Sequence, residues 1–329
     1  MKKIDCECLP VTSPTTLGTG ASSWSHRRFL ASAAVSGAAL AVAGRLPLAA
    51  ALPPAQRFKL VGFSKPFQTL SFEDTADLVA EVGWDGIECP VRAKGQILPE
   101  RVEDELPKMV EALRRRKLEL AIMATDIRSA TEPFTEKTLR TASRLGIHHY
   151  RLGDMHYRAD TPIMAKLDEI RAKLRDLAAL NKELGICAGW QNHSGGDYIG
   201  APVWDMHSII KDFDPQYLSV FFDIAHATLE GGLSWPVQAR LMEPHFGAVY
   251  VKDFVWKRDR DGWKEEWVPL GEGMVRPAFF QSLLKSPFKG IISQHHEYAV
   301  GDGGVRKAAL KKDLRTLRAW LKAQPAGTP

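Results

Sequence analysis

Beyond residue 55 the chain is poor in cysteine, in long apolar runs and in glycine-rich phosphate turns. Only Cys89 and Cys187 of its four cysteines fall there, each in a run that reads as a buried strand. Two isolated cysteines make no disulfide scaffold. Cys6 and Cys8 lie in the leader, so no cysteine-based metal site is expected. No later apolar run reaches the length of about 18 residues that a membrane span needs. The first strand runs into "GFSKPFQTLS" rather than G-x-G-x-x-G, which argues against a dinucleotide-binding open sheet. No basic stripe points to nucleic acid.

Residues 1–55 differ from the rest. "SHRRFLASAAVSGAALAVAGRLPLAAALPPA" has a basic start, an Ala/Val/Leu-rich middle and small residues near its end, the layout of an export signal. Arg27 and Arg28 beside Phe29-Leu30 resemble a twin-arginine signal, with His26 in the first arginine position and Arg45 interrupting the apolar run. The expectation is an exported protein, periplasmic or extracellular, with a leader over 1–55 and one domain over 56–329. Without the leader the formal net charge falls from +5 to +2.

From Phe58 onward short apolar runs alternate with amphipathic stretches. "KLVGFS", "GIECPV", "LELAIMATD", "HHYRLG", "ICAGWQNH", "YLSVFFDIAH", "GAVYVKDF" and "GIISQHHEY" read as strands. Helical patterns lie between them. One begins at a Ser71 cap and another at a Thr161 cap with Pro162 in its first position. Eight strand–helix units in roughly 270 residues predict a parallel (β/α)8 TIM barrel.

In such a barrel chemistry gathers where strands run out into the following loops. Those ends are polar here. The second strand offers Glu88; the fifth Gln191, Asn192 and His193; the sixth Asp223 and His226. The seventh offers Tyr250, Lys252 and Asp253, and the eighth His295, His296 and Glu297. Residues two apart on a strand share a face, so His295 and Glu297 point one way and His296 the other. Asp223 and His226 converge only if the chain turns after Asp223. Tryptophans near these ends, Trp190 among them, would suit the apolar face of a sugar.

The motifs "VGWDGIE", "GICAGWQNHSG", "VFFDIAHA", "VYVKDF", "PLGEGMV" and "GIISQHHE", in this order, resemble the sugar phosphate isomerase/epimerase family of xylose isomerase-like barrels. The resemblance implies proton abstraction next to a carbonyl on a sugar or cyclitol, with a sugar lyase or hydratase, or a non-catalytic carbohydrate-binding barrel, as alternatives. It also implies one divalent metal held by a Glu, an Asp, a His and a second Glu. Those positions carry Gln191, Asp223, Tyr250 and His295 here, so only the Asp is kept. The donor set of Gln191, Asp223 and His295 leaves both one metal (Mn, Mg or Zn) and metal-free operation open. His193, His226, Lys252 and Glu297 are the expected catalytic groups. Glu88, Asn192, Trp190, Tyr250, Asp253 and His296 are the expected sugar contacts. The expected partner is a small carbohydrate, with no nucleic acid and no stable membrane span once the leader is removed; a homodimer is left open.

Overall fold

Strands that are apolar on both faces need cover on both, and the helices between them supply it. A computed structural model describes residues 57–322. The leader expected over 1–55 lies outside that range. In chain order the elements are β1 (Lys59–Phe63), α1 (Phe72–Val82), β2 (Gly86–Pro90), α2 (Val102–Arg114), β3 (Glu119–Ala124), α3 (Thr135–Arg144), β4 (His149–Arg151), α4 (Ile163–Leu184), β5 (Cys187–Gln191) and α5 (Trp204–Ile210). They continue with β6 (Leu218–Asp223), α6 (Ile224–Gly231), α7 (Trp235–Met242), β7 (Phe246–Val251), β8 (Asp253–Asp259), β9 (Gly262–Val268), α8 (Pro277–Lys285), β10 (Ile291–Gln294) and α9 (Gly303–Trp320). Eight strands close into a barrel in the order β1-β10-β7-β6-β5-β4-β3-β2, each neighbouring pair parallel. The expected (β/α)8 barrel is thus the architecture.

Local signals explain the helix ends. Ser71 caps α1 by accepting from the Asp74 amide at 3.1 Å, and Gly83 ends it at φ 92°, a conformation that costs glycine little. Thr161 does not cap α4. Its hydroxyl donates to Asp160, Pro162 takes the cap position and the helix starts at Ile163.

Two apolar zones hold the barrel. Outside, between strands and helices, lie residues such as Trp84, Leu106, Leu174, Trp190, Phe222 and Leu314. Inside, Val61, Ala121, Phe221, Ala248 and Ile291 fill the lumen. Phe221 occupies so much of it that a Cβ on Gly189 would sit 2.1 Å from its ring, so β5 must carry glycine there.

One element was not anticipated: the antiparallel hairpin β8–β9 that follows β7. Its sequence signal is Asp261-Gly262, with Gly262 at φ 125° in the turn. No helix among the described residues is long and apolar enough to cross a membrane.

Candidate active site

Strand alternation carries one face of each strand into the lumen. At the carboxyl ends this inward face presents Glu88, Arg151, Gln191, Asp223, Tyr250, Lys252, Ser293 and His295, all buried. Barrel interiors are usually filled by branched apolar side chains. A polar top layer persists only if its groups satisfy one another.

They do so in two sets that leave only Arg151 Nε without a partner among these side chains. Glu88 is the acceptor of the first. Its carboxylate takes hydrogen bonds from Tyr250 Oη at 3.0 Å, Ser293 Oγ at 2.7 Å and His295 Nε2 at 2.9 Å. A carboxylate only accepts, so His295 carries its proton on Nε2. Burial favours the protonated acid, but His295, Arg151 and Ser293 outweigh it and hold Glu88 below the usual carboxylate range. The Tyr250 phenol is pushed well above its ordinary value by burial and by Glu88, so it stays a neutral donor.

The second set is a chain. Arg151 Nη1 donates to Gln191 Oε1 at 2.8 Å, and Gln191 Nε2 donates to Asp223 Oδ2 at 2.8 Å. Lys252 Nζ lies 3.1 Å from the same Oδ2 and 2.7 Å from His226 Nε2. A lysine cation only donates, so His226 Nε2 is an acceptor and its Nδ1–H donates to Ser194 Oγ at 2.8 Å. Burial, with the charge of Lys252 behind it, drives His226 well below 6.5. Asp223 also caps α6, its Oδ1 accepting from the amides of Ala225 at 3.0 Å and His226 at 3.1 Å. That helical turn brings Asp223 and His226 together.

Partly exposed residues line the outer side. The His193 ring lies 4.0 Å from that of His226 and stacks on Tyr198 at 4.4 Å. His193 Nδ1 meets the Ser194 carbonyl at 2.8 Å, and a carbonyl only accepts. Nδ1 therefore carries the proton and Nε2 the lone pair. Burial and then Lys252 lower its pKa, so the ring is neutral around pH 7. Trp267 faces Lys252, its ring centroid 4.8 Å from Nζ. Glu297 pairs with Lys65 at 2.7 Å. Burial opposes its ionisation, but Lys252 and Lys65 hold it down to about 2.

Nine expected site residues thus share one end of the barrel: Glu88, Gln191, His193, Asp223, His226, Tyr250, Lys252, His295 and Glu297. Four do other work. Trp190 is buried on the outward face of β5, in the core beneath the helices. Asn192 bridges strands, donating to the Asp223 carbonyl at 3.0 Å and accepting its amide at 2.8 Å. Asp253 gathers the amides of Phe254, Gly271, Gly273 and Val275, which accounts for the "PLGEGMV" loop. His296 points outward to Trp84 and Asp313. Sequence reasoning missed Arg151, Ser194 and Tyr198. Arg151 had a signal, as the last residue of the "HHYR" strand.

The donor set does not suit a divalent metal. Gln191 offers its oxygen to Arg151 and turns its amide hydrogens toward Asp223. Asp223 already takes four donors, Tyr250 is a neutral phenol, and His295 presents an N–H to Glu88. Hard divalent ions ask for several available oxygens. Among the described residues no group of three or more His, Cys, Asp and Glu side chains could hold one.

A cavity of about 780 Å³ opens at the opposite end of the barrel, lined by residues including Lys59, Trp84, Lys117 and His149. It faces the amino ends of the strands and lacks the linked network described above, so the carboxyl end remains the candidate site.

Comparison with known proteins agrees with the barrel fold. The profile of the Xylose isomerase-like TIM barrel family matches residues 76–324. The chain is similar in fold to 3-keto-D-glucoside 4-epimerase from E. coli, at 13% identity and a TM-score of 0.62 over 80% of this chain and 99% of that one. It is also similar to D-psicose 3-epimerase from Clostridium cellulolyticum, at 11% identity and a TM-score of 0.63, covering 81% and 100%. A probable 3-DHS dehydratase from Bacillus anthracis matches at 17% identity and a TM-score of 0.60, covering 79% and 99%. In sequence, an uncharacterized protein of Methanocaldococcus jannaschii is 24% identical over 150 residues, 45% of this chain. The match spans 47% of that relative's length.

Proposed function

Because the chain belongs to the Xylose isomerase-like TIM barrel family, we propose that it abstracts a proton next to the carbonyl of a keto-sugar or cyclitol, as an isomerase or epimerase. The observation that carries this reading is a neutral imidazole with an available lone pair, His193, whose ring lies tilted against the His226 that holds Lys252. His193 Nε2 takes the proton. The C–H electron pair forms a carbon–carbon double bond, and the carbonyl electrons move to oxygen. The charge of Lys252 stabilises that oxygen in a water-poor setting. A proton passes from the hydroxyl on the deprotonated carbon to the former carbonyl oxygen, and the proton held by His193 returns to the former carbonyl carbon, which completes an isomerisation.

His226 has both ring nitrogens engaged and acts as a positioning residue for Lys252. Glu297, ionised throughout the neutral range, suits acceptance of sugar hydroxyl hydrogens. Trp267 and Tyr198 offer flat faces for the apolar side of the ring.

A second reading, dehydration, draws on one particular observation: His193 presents a single available lone pair, on Nε2, while its Nδ1 is engaged with the Ser194 carbonyl. One base serves same-face isomerisation or elimination, whereas two-base epimerisation needs a partner on the other side. In elimination the enolate expels a β-hydroxyl as water, and protonated His193 supplies the proton.

A panel of keto-sugars and inososes in deuterated buffer tests both readings by NMR. Exchange at the carbon next to the carbonyl is expected for at least one member, falling about 10²–10⁴-fold in His193→Gln. Measurable binding without exchange of any member would leave a non-catalytic carbohydrate-binding barrel.

The basic and then apolar leader supports export. Fractionation of cells making the full chain should place it outside the cytoplasm; retention inside would reject this part of the proposal.

A further inference from the structure

We infer that Lys252 is the resident cation of this site and stands in for a divalent metal, so that the protein folds and binds its ligand without one. The inference goes beyond the reaction proposed above and holds or fails separately from it.

Asp223 has no acceptor position to spare. A carboxylate has about four lone-pair positions. Two are taken by the amides that open α6, one by Gln191 Nε2 and one by Lys252 Nζ. No lobe is left for an ion. Rotating Gln191 to offer its oxygen would aim its amide hydrogens at Arg151, a pure donor, and forfeit both of its bonds. Glu88 is likewise spent on Tyr250, Ser293 and His295. A metal would have to break the network at several points at once, among groups shielded from water.

Charge leads to the same conclusion. Arg151 and Lys252 are both buried and both belong to the chain of contacts through Gln191 and Asp223. A dication placed among them would face two like charges in a low-dielectric lumen, where repulsion is weakly screened. Lys252 has three N–H groups. Two meet Asp223 and His226, which leaves one for a ligand oxygen beside the Trp267 ring. That N–H is a directed donor able to meet a carbonyl or enolate oxygen.

The test uses the purified full chain. Elemental analysis should find divalent metal well below one per chain, and melting curves should coincide with chelator and with added Mn²⁺, Mg²⁺ or Zn²⁺. Lys252→Met should melt about 6–12 °C lower, because it leaves a buried carboxylate without its cation. Asp223→Asn combined with Lys252→Met should recover part of that loss. One metal per chain, lost on chelation and absent from Asp223→Asn, would overturn the inference. So would a Lys252→Met protein that melts like its parent. If Lys252→Met does not fold, the role of the cation in stability is upheld, and the metal content of the unaltered chain decides the remainder.

Discussion

His295 and His296 are neighbours at the end of one strand, and they meet opposite environments. His295 turns into the lumen, where its Nε2–H finds Glu88 at 2.9 Å, in ring contact with Tyr250 and Phe63. His296 turns outward beneath α9. Its Nε2 lies 3.4 Å from Asp313 Oδ2 without the alignment of a hydrogen bond, and neither ring nitrogen has a partner among the described residues. Burial drives His296 down to about 3, while burial pushes the Asp313 carboxyl up to about 6. Residue type and depth are the same in both. What differs is whether the facing surface supplies an ordered acceptor. A polar layer becomes a site when its members satisfy one another and hold one group, here Lys252, in a fixed place.

The comparison can be broken first at the hub. Glu88→Ala leaves Tyr250, Ser293 and His295 as buried donors without an acceptor, and should cost about 3–5 kcal/mol in a urea melt. A loss below about 1 kcal/mol would mean that the inner layer is no more cohesive than the outer cluster.

The two histidines come next. His295→Ala should cost about 2–3 kcal/mol, since it frees one Glu88 oxygen from its partner in a buried place. His296→Phe should be neutral or stabilising, because it replaces two unpartnered nitrogens with carbon. Equal destabilisation by both would erase the distinction.

Acidity sharpens the same contrast. His296 is depressed from 6.5 to about 3, so its contribution to stability is present above 6.5 and lost as the pH falls toward 3. Asp313 is raised from 3.8 to about 6, so its contribution is present below 3.8 and lost as the pH rises through 6. Between 3.8 and 6 the two slopes oppose one another. The stability of His296→Phe relative to its parent should therefore grow as the pH falls from 6.5 to 4. A constant difference across that range would contradict the assignment.

The smallest effect belongs to the rim. Lys65 is 45% exposed, and its pair with Glu297 is screened by solvent. Lys65→Met should cost about 0.5 kcal/mol or less, readable by denaturant melt.

The barrel was legible because eight apolar runs alternate with amphipathic stretches, and that pattern has few other closed solutions. The period of two also separated His295 from His296. It placed Trp190 opposite Gln191 just as firmly, yet Trp190 was expected to touch a sugar. Strand period shows that a side chain points away from the lumen; it does not show that Asp313 or a helix waits there. The β8–β9 hairpin escaped because a polar ribbon such as "KRDRDGWKEE" has little apolar alternation. Arg151 escaped because one arginine at a strand end resembles a surface charge until the carboxylate and amide opposite it are known. Asp253 showed the reverse: its polarity was plain, but three of the four amides it gathers come from a loop 18 to 22 residues away.

The most direct measurement is solvent-deuterium exchange into a keto-sugar by the chain after exhaustive chelation. Exchange should survive the chelator and drop about 10²-fold or more in His193→Gln. Exchange that appears only when a divalent metal is restored, or that His193→Gln leaves untouched, would contradict that expectation.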